Sequence, residues 1–271
     1  MKDWIRAQLR RRKARRHLKR PAVETPYGFR FLGPRVMQSG DFEAEEAQLL
    51  QALLRQAGLF VNVGANYGYY ICMARQMGVP SVAVEPVPVN LETLQRNIAE
   101  NGWTDGITVH PVACGEAEGE AEIFGEGTGA SFVAGWARNP AALHHLVPVR
   151  RLDALVPPDS LSPTTVMLID VEGFELEVLR GATGLLAAKA RPVIMLESGL
   201  TDHRPGGVMN AGFLDVVELL EEHGYRLVQA VDPAAEVTVE QVRQDLADGT
   251  DRIGTHNFLA LPPGYTLPDL A

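Results

Sequence analysis

Residues 59–74, LFVNVGANYGYYICMA, decide the interpretation of this sequence, because an aliphatic run breaks into glycine, asparagine and tyrosine and then resumes. The first five residues are typical of a buried strand, and residues 69–77 are typical of a helix. Gly64 would permit a tight turn with close backbone approach to a ligand, and Gly68 would let the helix start near the strand. The Gly-x-x-x-Gly spacing matches neither GxGxxG nor a P-loop. The stretch predicts a strand, a ligand-binding turn and a helix.

Strand-like and helix-like segments continue to alternate on both sides of a middle segment, residues 115–148, that is rich in Gly and Glu. Residues 81–86 and 107–113 predict two further strands, with a helix between them at residues 90–102. Residues 164–173 and 192–198 predict two more buried strands, separated by a helix. Strand–helix alternation of this kind predicts an α/β fold built on a doubly wound parallel sheet.

The amino-acid composition indicates the size of the folded unit and the state of the cysteines. The chain has 271 residues, 46% of them hydrophobic, which suits one large domain with appendages. The two cysteines, Cys72 and Cys114, are far apart and form no CxxC motif. We therefore predict two buried free thiols in a reducing compartment, with neither a disulfide nor a zinc site.

Charge is divided unevenly along the chain. Residues 1–20 hold ten basic side chains and one acid, whereas the rest of the chain holds 15 basic and 33 acidic side chains. An acidic body disfavours nucleic acid as a partner. The basic tail has no apolar core of a signal peptide, and no apolar run approaches the 20 residues of a membrane span. We predict a cytoplasmic protein whose tail is either a solvated helix or an arm that docks on an anionic surface, peripherally at the membrane.

The predicted organisation has three parts. Residues 1–20 form the basic tail, residues 21–58 a strand and a helix, and residues 59–271 the main domain. The helix is expected at residues 41–58 with Asp41 as its N-cap. Within the main domain, the Gly- and Glu-rich residues 115–148 predict a loop insertion with one short strand at residues 121–124. Phe132 and Trp136 are the aromatic residues there that would meet an acceptor, for example by stacking on a sugar; the alternative for Trp136 is a residue of the local core.

Acidic residues follow two of the predicted strands. Glu85 ends the second strand 21 residues after Gly64, where an acid can accept hydrogen bonds from both hydroxyls of a ribose. Asp170 and Glu172 follow the strand at residues 164–173, at the sheet edge where ligands bind in such folds. Glu175 comes next, and the helix dipole alone explains an acid in that first turn.

Three blocks in this order resemble the FkbM family of S-adenosylmethionine-dependent methyltransferases: FVNVGANYGYY at 60–70, VAVEPVPVNLETLQRNIAEN at 82–101 and LIDVEGFELEVLRGA at 168–182. The likeness runs from about residue 43 to residue 197. It implies the class I methyltransferase (Rossmann-like) fold, a seven-stranded, mostly parallel sheet with an antiparallel last strand and helices on both faces. It also implies S-adenosylmethionine as the cofactor.

The resemblance also implies site residues. The turn from Gly64 through Ala65 and Asn66 to Gly68, with Tyr69, would pass the methionine half of the cofactor. Glu85 would hold its ribose, Pro86, Val112 and Ala113 would flank its adenine, and Ser131 would contact cofactor or substrate. In the family the position of Asn62 is usually an acid that receives the cofactor's ammonium group; an amide keeps a hydrogen-bond acceptor but loses the charge.

The chemistry of the transfer stays open at this point. A hydroxyl nucleophile benefits from a general base or a metal, and Asp170, Glu172 and Glu197 are the candidate catalytic carboxylates. Asp170 and Glu197 could alternatively bind Mg²⁺. Four histidines are further candidate bases, each better explained as structural or surface residues: His110, His144, His145 and His203.

The resemblance suggests O-methylation of a hydroxyl on a sugar, glycan or secondary metabolite. Two other classes share parts of the pattern. A Rossmann-type NAD-dependent nucleotide-sugar oxidoreductase would share the sheet and Glu85, but GxGxxG and a Tyr-x-x-x-Lys pair are missing. A catalytically silent cofactor-binding module would share the pocket. An RNA methyltransferase that uses the basic tail is disfavoured by the acidic body. The oligomeric state is not readable from the sequence.

Overall fold

The computed structural model describes residues 2–201 and 205–268. The helices are α1 (Lys2–Ala14), α2 (Arg35–Ser39), α3 (Ala44–Leu54), α4 (Tyr69–Gln76), α5 (Pro88–Glu100), α6 (Leu152–Leu155), α7 (Glu175–Arg180), α8 (Thr183–Ala187), α9 (Gly212–Glu222) and α10 (Val239–Asp248). The strands are β1 (Val23–Glu24), β2 (Arg30–Phe31), β3 (Leu59–Val63), β4 (Ser81–Val84), β5 (Ile107–His110), β6 (Ala113–Cys114), β7 (Gly119–Phe124), β8 (His144–Arg150), β9 (Thr165–Ile169), β10 (Val193–Glu197), β11 (Arg226–Gln229) and β12 (Asn257–Leu261).

The main sheet confirms the predicted fold class. Across the described residues it has seven strands in the order β11-β12-β10-β9-β3-β4-β5. Strands β3, β4, β5, β9 and β10 pair in parallel, whereas β12, the last in the chain, is antiparallel to both β10 and β11. The carboxyl ends of β3, β4, β9 and β10 therefore meet at one edge, which is where the predicted site residues follow in the sequence.

Helices cover both faces of this sheet, as predicted. Side chains of a strand alternate between faces: Phe60 of β3 packs in a core with α3 and α4, and its neighbour Val61 packs in a second core with α7, α8 and α9. All five residues of β9 are buried, as expected for a central parallel strand.

Several element boundaries differ from the prediction. Helix α3 starts at Ala44, not near Asp41, which instead accepts a hydrogen bond from the Ser39 hydroxyl at 2.6 Å. The predicted helix after residue 174 is broken into α7 and α8. The break contains Gly181, where a Cβ would lie 2.2 Å from the carbonyl oxygen of Gly115. Helix α10 was not predicted; it carries a capping box between Thr238 and Gln241.

The predicted insertion is more ordered than a loop. The third strand ends at His110, and β6 leaves the main sheet to pair with β8, which pairs in turn with β7. Strands β7 and β8 form an antiparallel hairpin whose paired residues run from Gly119↔Val149 to Phe124↔His144. Residues 125–143 connect them. This small sheet lies over a third apolar cluster that includes Val87, Val89 and Ile123.

The basic tail is a helix that packs against the protein. Ala7 of α1 is buried, and the Arg10 guanidinium donates hydrogen bonds to the carbonyls of Ala137 and Arg138 at 3.3 and 3.4 Å. After the helix, His17 is buried, lies 2.9 Å from the Thr93 hydroxyl and has its pKa lowered by burial to about 4. The solvated-helix alternative is therefore wrong for the docked face of α1.

Candidate active site

A cavity of about 230 Å³ opens at the carboxyl ends of the parallel strands. The structure brings most of the predicted site residues to its wall: Asn62, Gly64, Ala65, Asn66, Tyr69, Glu85, Pro86, Val112, Ala113, Asp170, Glu172 and Glu197. The two predicted residues that are not in its lining are Gly68 and Ser131. Convergence of groups from distant parts of the chain on one cavity is the expected geometry of a ligand site.

Gly64 lines the cavity and has a second role besides the predicted one. Its φ is +86°, and a Cβ would lie 1.8 Å from the carbonyl oxygen of Asp170. The carbonyl of Asp170, at the end of the neighbouring strand, thus lies so close to the Gly64 backbone that no side chain fits there. This contact comes in addition to the predicted approach of a ligand. Gly68, with φ +81°, precedes α4, and its Cβ would meet the Leu94 side chain at 3.0 Å. It serves the packing of α4 on α5, outside the cavity.

Glu85 is buried at the end of β4, and its carboxylate organises the turn around it. One oxygen accepts the backbone N–H of Asn66 at 2.8 Å, and the other accepts the N–H of Val87 at 2.8 Å and the Asn90 amide at 3.3 Å. Burial raises the pKa of Glu85 to about 7, although these three donors act in the opposite direction. Oε2, which accepts only the Asn66 N–H, has a further lone pair with which to accept a hydroxyl, whereas Oε1 already accepts two hydrogen bonds.

Asn62 is the buried polar group that best fits a cationic ligand. It lies on β3 at 2% exposure, lines the cavity, and its Oδ1 has no hydrogen-bond partner within the described residues. An unpaired buried amide oxygen costs free energy, so a donor is expected to fill this position. The cofactor's ammonium group is such a donor, and the residues present therefore fit S-adenosylmethionine.

Four carboxyl groups face one another beside this turn: Glu43, Asp170, Glu172 and Glu197. Burial raises the pKa of Asp170 well above its usual value, and the neighbouring Glu197 carboxylate raises it further. The pKa of Glu197 is raised in the same way, by burial and by Glu172. Like charges in a poorly solvated site disfavour full ionisation, so the Asp170–Glu197 pair retains a proton near neutral pH.

Glu43 was not predicted as a site residue. It precedes α3 with a φ of +43°, and its Oε2 accepts the Tyr70 hydroxyl at 2.6 Å. Burial raises its pKa. The sequence placed this residue inside a helix of the N-terminal extension, so nothing in the pattern pointed it toward the cavity.

Glu172 is held in place by the insertion. Its φ is +56°; its carbonyl accepts the Ser131 hydroxyl at 2.6 Å, and its Oε2 accepts the indole N–H of Trp136 at 2.5 Å. Ser131 and Trp136 are both buried. The structure thus places Trp136 behind Glu172 and not on the face of a bound sugar, whereas Phe132 does line the cavity.

The described residues do not fit the predicted Mg²⁺ site. Within residues 2–201 and 205–268, no group of three or more His, Cys, Asp or Glu side chains has a metal-binding arrangement. The carboxyl groups of Asp170 and Glu197 lie close together. The Glu172 carboxylate already accepts a hydrogen bond from the indole N–H of Trp136. Two facing carboxyl groups are a small ligand set for a cation that prefers six oxygen ligands.

Three of the four candidate histidines, His110, His144 and His145, do not line the cavity. His110 ends β5, the His144 ring contacts the Ala141 carbonyl at 3.0 Å, and His145 lies 3.2 Å from Glu126. His203 is outside the described residues. A histidine that was not predicted, His256, lines a smaller cavity with Glu172 and Glu197, and its Nδ1 is buried without a partner in the described structure. Only the antiparallel pairing of β12 with β10 brings it there.

The comparisons with known proteins agree with this geometry. A family model described as the Methyltransferase FkbM domain matches residues 62–227, more than half of the chain. AMB antimetabolite synthetase AmbE from Pseudomonas aeruginosa is 32% identical over 123 residues, which cover 45% of this chain and 5% of that protein. The chain thus spans about one twentieth of the length of that curated relative.

Solved structures give more distant similarities. The precorrin-6y C5,15-methyltransferase of Geobacter metallireducens is 16% identical, with 68% of this chain and 72% of that chain covered and a TM-score of 0.38. A structure titled StiE O-MT is 10% identical, with 96% and 84% covered and a TM-score of 0.45. At these values the similarities carry no argument about activity.

Proposed function

This chain belongs to the FkbM family of S-adenosylmethionine-dependent methyltransferases, and from that premise we propose that it methylates a hydroxyl oxygen of a sugar, glycan or secondary metabolite. The observation that carries the proposal is the common cavity. Asn62 and Glu85, which fit the cofactor, line the same cavity as Asp170 and Glu197, which fit a base. Family membership excludes the oxidoreductase alternative.

The cofactor would be held by groups along β3 and β4. Asn62 would accept a hydrogen bond from the ammonium group, Glu85 would accept the ribose hydroxyls, and Pro86, Val112 and Ala113 would flank the adenine. When bound, S-adenosylmethionine supplies an electrophilic methyl group on a sulfonium. The protein's part is then to exclude water and align the acceptor oxygen with that methyl group.

Asp170 is the proposed base. A hydroxyl is a weak nucleophile, and removal of its proton as the oxygen attacks lowers the barrier. Once the Asp170–Glu197 pair has released its retained proton, Asp170 would accept the proton of the acceptor hydroxyl and share it with Glu197. The raised pKa values of both groups bring their proton affinity closer to that of a working base near neutral pH. The residues do this without a metal.

The charge of the cavity favours an acceptor that is not anionic. Its lining in the described residues contains Glu43, Glu85, Asp170, Glu172 and Glu197, and no Lys, Arg or His. Carboxylates accept hydrogen bonds from hydroxyls but repel phosphates and carboxylates. A neutral polyhydroxylated acceptor fits this lining, which supports a sugar-like or metabolite substrate.

The test is a calorimetric titration of the purified chain with S-adenosylhomocysteine, with NAD run in parallel. Micromolar binding of S-adenosylhomocysteine alone is the expected result. It would then be followed by a methyl-transfer screen in which neutral sugars and their phosphorylated counterparts are matched. Absence of transfer to every hydroxyl acceptor, despite cofactor binding, would instead support the silent cofactor-binding module.

Replacing Asn62 with aspartate is expected to strengthen cofactor binding. The substitution is nearly isosteric and turns the orphaned amide oxygen into a charged acceptor for the ammonium group. A hydrogen bond to a charged group is worth about 1.5–3 kcal/mol against about 1 kcal/mol for a neutral one. We expect the dissociation constant for S-adenosylhomocysteine to fall by roughly threefold to tenfold. The matched variant Asn101→Asp, outside the cavity, should leave affinity unchanged, and an equal gain there would contradict the assignment.

A further inference from the structure

Helix α1 has two distinct faces. Asp3, Ala7, Arg10 and Ala14 follow one another at intervals of three or four residues, so they share one face of the helix. That face docks on the insertion: Ala7 is buried, Arg10 bonds to carbonyls in the connecting segment, and the Asp3 carboxylate accepts the N–H of Ala142 at 3.1 Å. One side of α1 is thus fixed by specific contacts.

The outward face is apolar where a soluble helix would be polar. Trp4, Ile5 and Leu9 are exposed by 62%, 46% and 59%. Ile5 and Leu9 are one turn apart on the side opposite the docked face, and Trp4 lies about 100° around the helix from Ile5, on the flank between the two faces. A large exposed aromatic and two aliphatic residues on three turns of helix mark an interaction surface.

Cationic side chains surround these three apolar residues. Seven exposed basic residues lie on or just after α1: Arg6, Arg12, Lys13, Arg15, Arg16, Lys19 and Arg20. Within the part of the chain that the structure describes, none of them forms an ion pair. The acidic remainder of the protein would be repelled by an anionic surface, so attraction is confined to this end of the molecule.

We propose that α1 binds an anionic lipid surface as an interfacial helix. Basic residues flanking exposed Trp, Ile and Leu form the pattern of a helix that lies in the headgroup region with its apolar side inserted. Basic residues alone would bind a nucleic acid equally well. The exposed apolar side chains favour a lipid surface, because they can insert between lipid headgroups. Among residues 2–201 and 205–268, no helix has the length and hydropathy of a membrane span.

The docking of α1 gives this contact an orientation. Its Arg11 lies 3.7 Å from the buried carboxylate of Glu126, and the following residues 127–130 line the cofactor cavity. A protein held by the outward face of α1 would therefore present the insertion, with the wall of its cavity, close to the membrane surface.

The test is co-sedimentation of the full-length chain with vesicles of phosphatidylcholine and with vesicles that also contain phosphatidylserine. We expect binding only to the second kind and loss of it at high salt. The double charge reversal Arg12→Glu/Lys13→Glu should weaken partitioning by more than about 30-fold, because loss of two basic residues alone costs about 1 kcal/mol each near the surface and the added carboxylates are repelled. The matched reversal Arg35→Glu/Arg55→Glu, at exposed arginines elsewhere, should bind as the parent does.

A second variant separates lipid from nucleic acid. Trp4→Ser/Ile5→Ser/Leu9→Ser keeps every charge and removes the three exposed apolar side chains. Weakened vesicle binding in this variant supports the proposal; unchanged vesicle binding, or equal binding of the parent to a single-stranded oligonucleotide, overturns it. Thermal melting and S-adenosylhomocysteine titration show whether each variant is folded. Since these residues lie outside the cavity, cofactor binding should be unchanged, which keeps this test independent of the proposed function.

Discussion

Replacing Glu85 with alanine is expected to lower the affinity for S-adenosylhomocysteine by roughly 100-fold or more. In the proposed complex the carboxylate accepts both ribose hydroxyls, and each hydrogen bond to a charged acceptor contributes about 1.5–3 kcal/mol. The loss should be visible by calorimetric titration. Unchanged affinity would remove the ribose assignment.

The structure shows that this variant also loses contacts of its own. Without the carboxylate, the N–H groups of Asn66 and Val87 have no acceptor, at about 1–3 kcal/mol each when buried. A lowered melting temperature is therefore expected for Glu85→Ala. Glu85→Gln keeps one oxygen and should lose less of both stability and affinity, which separates the two effects. The exposed acid Glu92 on the next helix provides the control, since Glu92→Ala should change neither.

Replacing Asp170 with asparagine is expected to lower kcat by roughly 100-fold or more while cofactor affinity changes only a few-fold. General base catalysis contributes about 10²–10⁴-fold, and an amide cannot accept the proton of the acceptor hydroxyl. Single-turnover methyl transfer and calorimetric titration on the same preparation measure the two quantities. Full activity would discard Asp170 as the base. The exposed Asp159→Asn is the matched control and should behave as the parent.

The same group should set the pH dependence. Burial and the neighbouring carboxylate raise the pKa of Asp170, so less of the base is ionised at neutral pH than an ordinary aspartate would provide. Turnover is therefore expected to increase with pH above neutrality. Glu197→Gln removes the like charge, lowers the pKa of Asp170 and should move this increase to lower pH. A profile that does not move would separate Glu197 from the base.

The main sheet could be predicted because each of its parallel strands is recognisable from a short segment of neighbouring residues. Strands β3, β4, β9 and β10 are short aliphatic runs that end in residues typical of turns, and chain order then determines their arrangement in a doubly wound sheet. The small sheet of the insertion could not be predicted in this way beyond the short strand at residues 121–124, because β6 and β8 pair across 29 intervening residues. Helix α10 was missed because its capping box was not recognised.

Site residues that directly follow a strand could be predicted from the sequence. Those whose position depends on tertiary contacts could not. Glu85, Asp170 and Glu197 were found because strand ends meet at one edge. Glu43 and His256 were missed because they come from the N-terminal extension and from the antiparallel strand, whose positions no local pattern fixes. For Trp136 the sequence left substrate contact and local core as alternatives, because its hydrogen bond to Glu172 depends on tertiary contacts.

The cluster of carboxyl groups has a thermodynamic consequence for any ligand of this cavity. Because their pKa values are raised, Asp170 and Glu197 together hold a proton near neutral pH that ordinary carboxyl groups would have released. A cationic ligand lowers those pKa values and displaces protons into the buffer as it binds. The heat of binding then contains the ionisation enthalpy of the buffer, and the affinity for the positively charged cofactor rises with pH more steeply than that for its uncharged-sulfur product. Alkaline conditions thus favour exchange of spent cofactor for fresh.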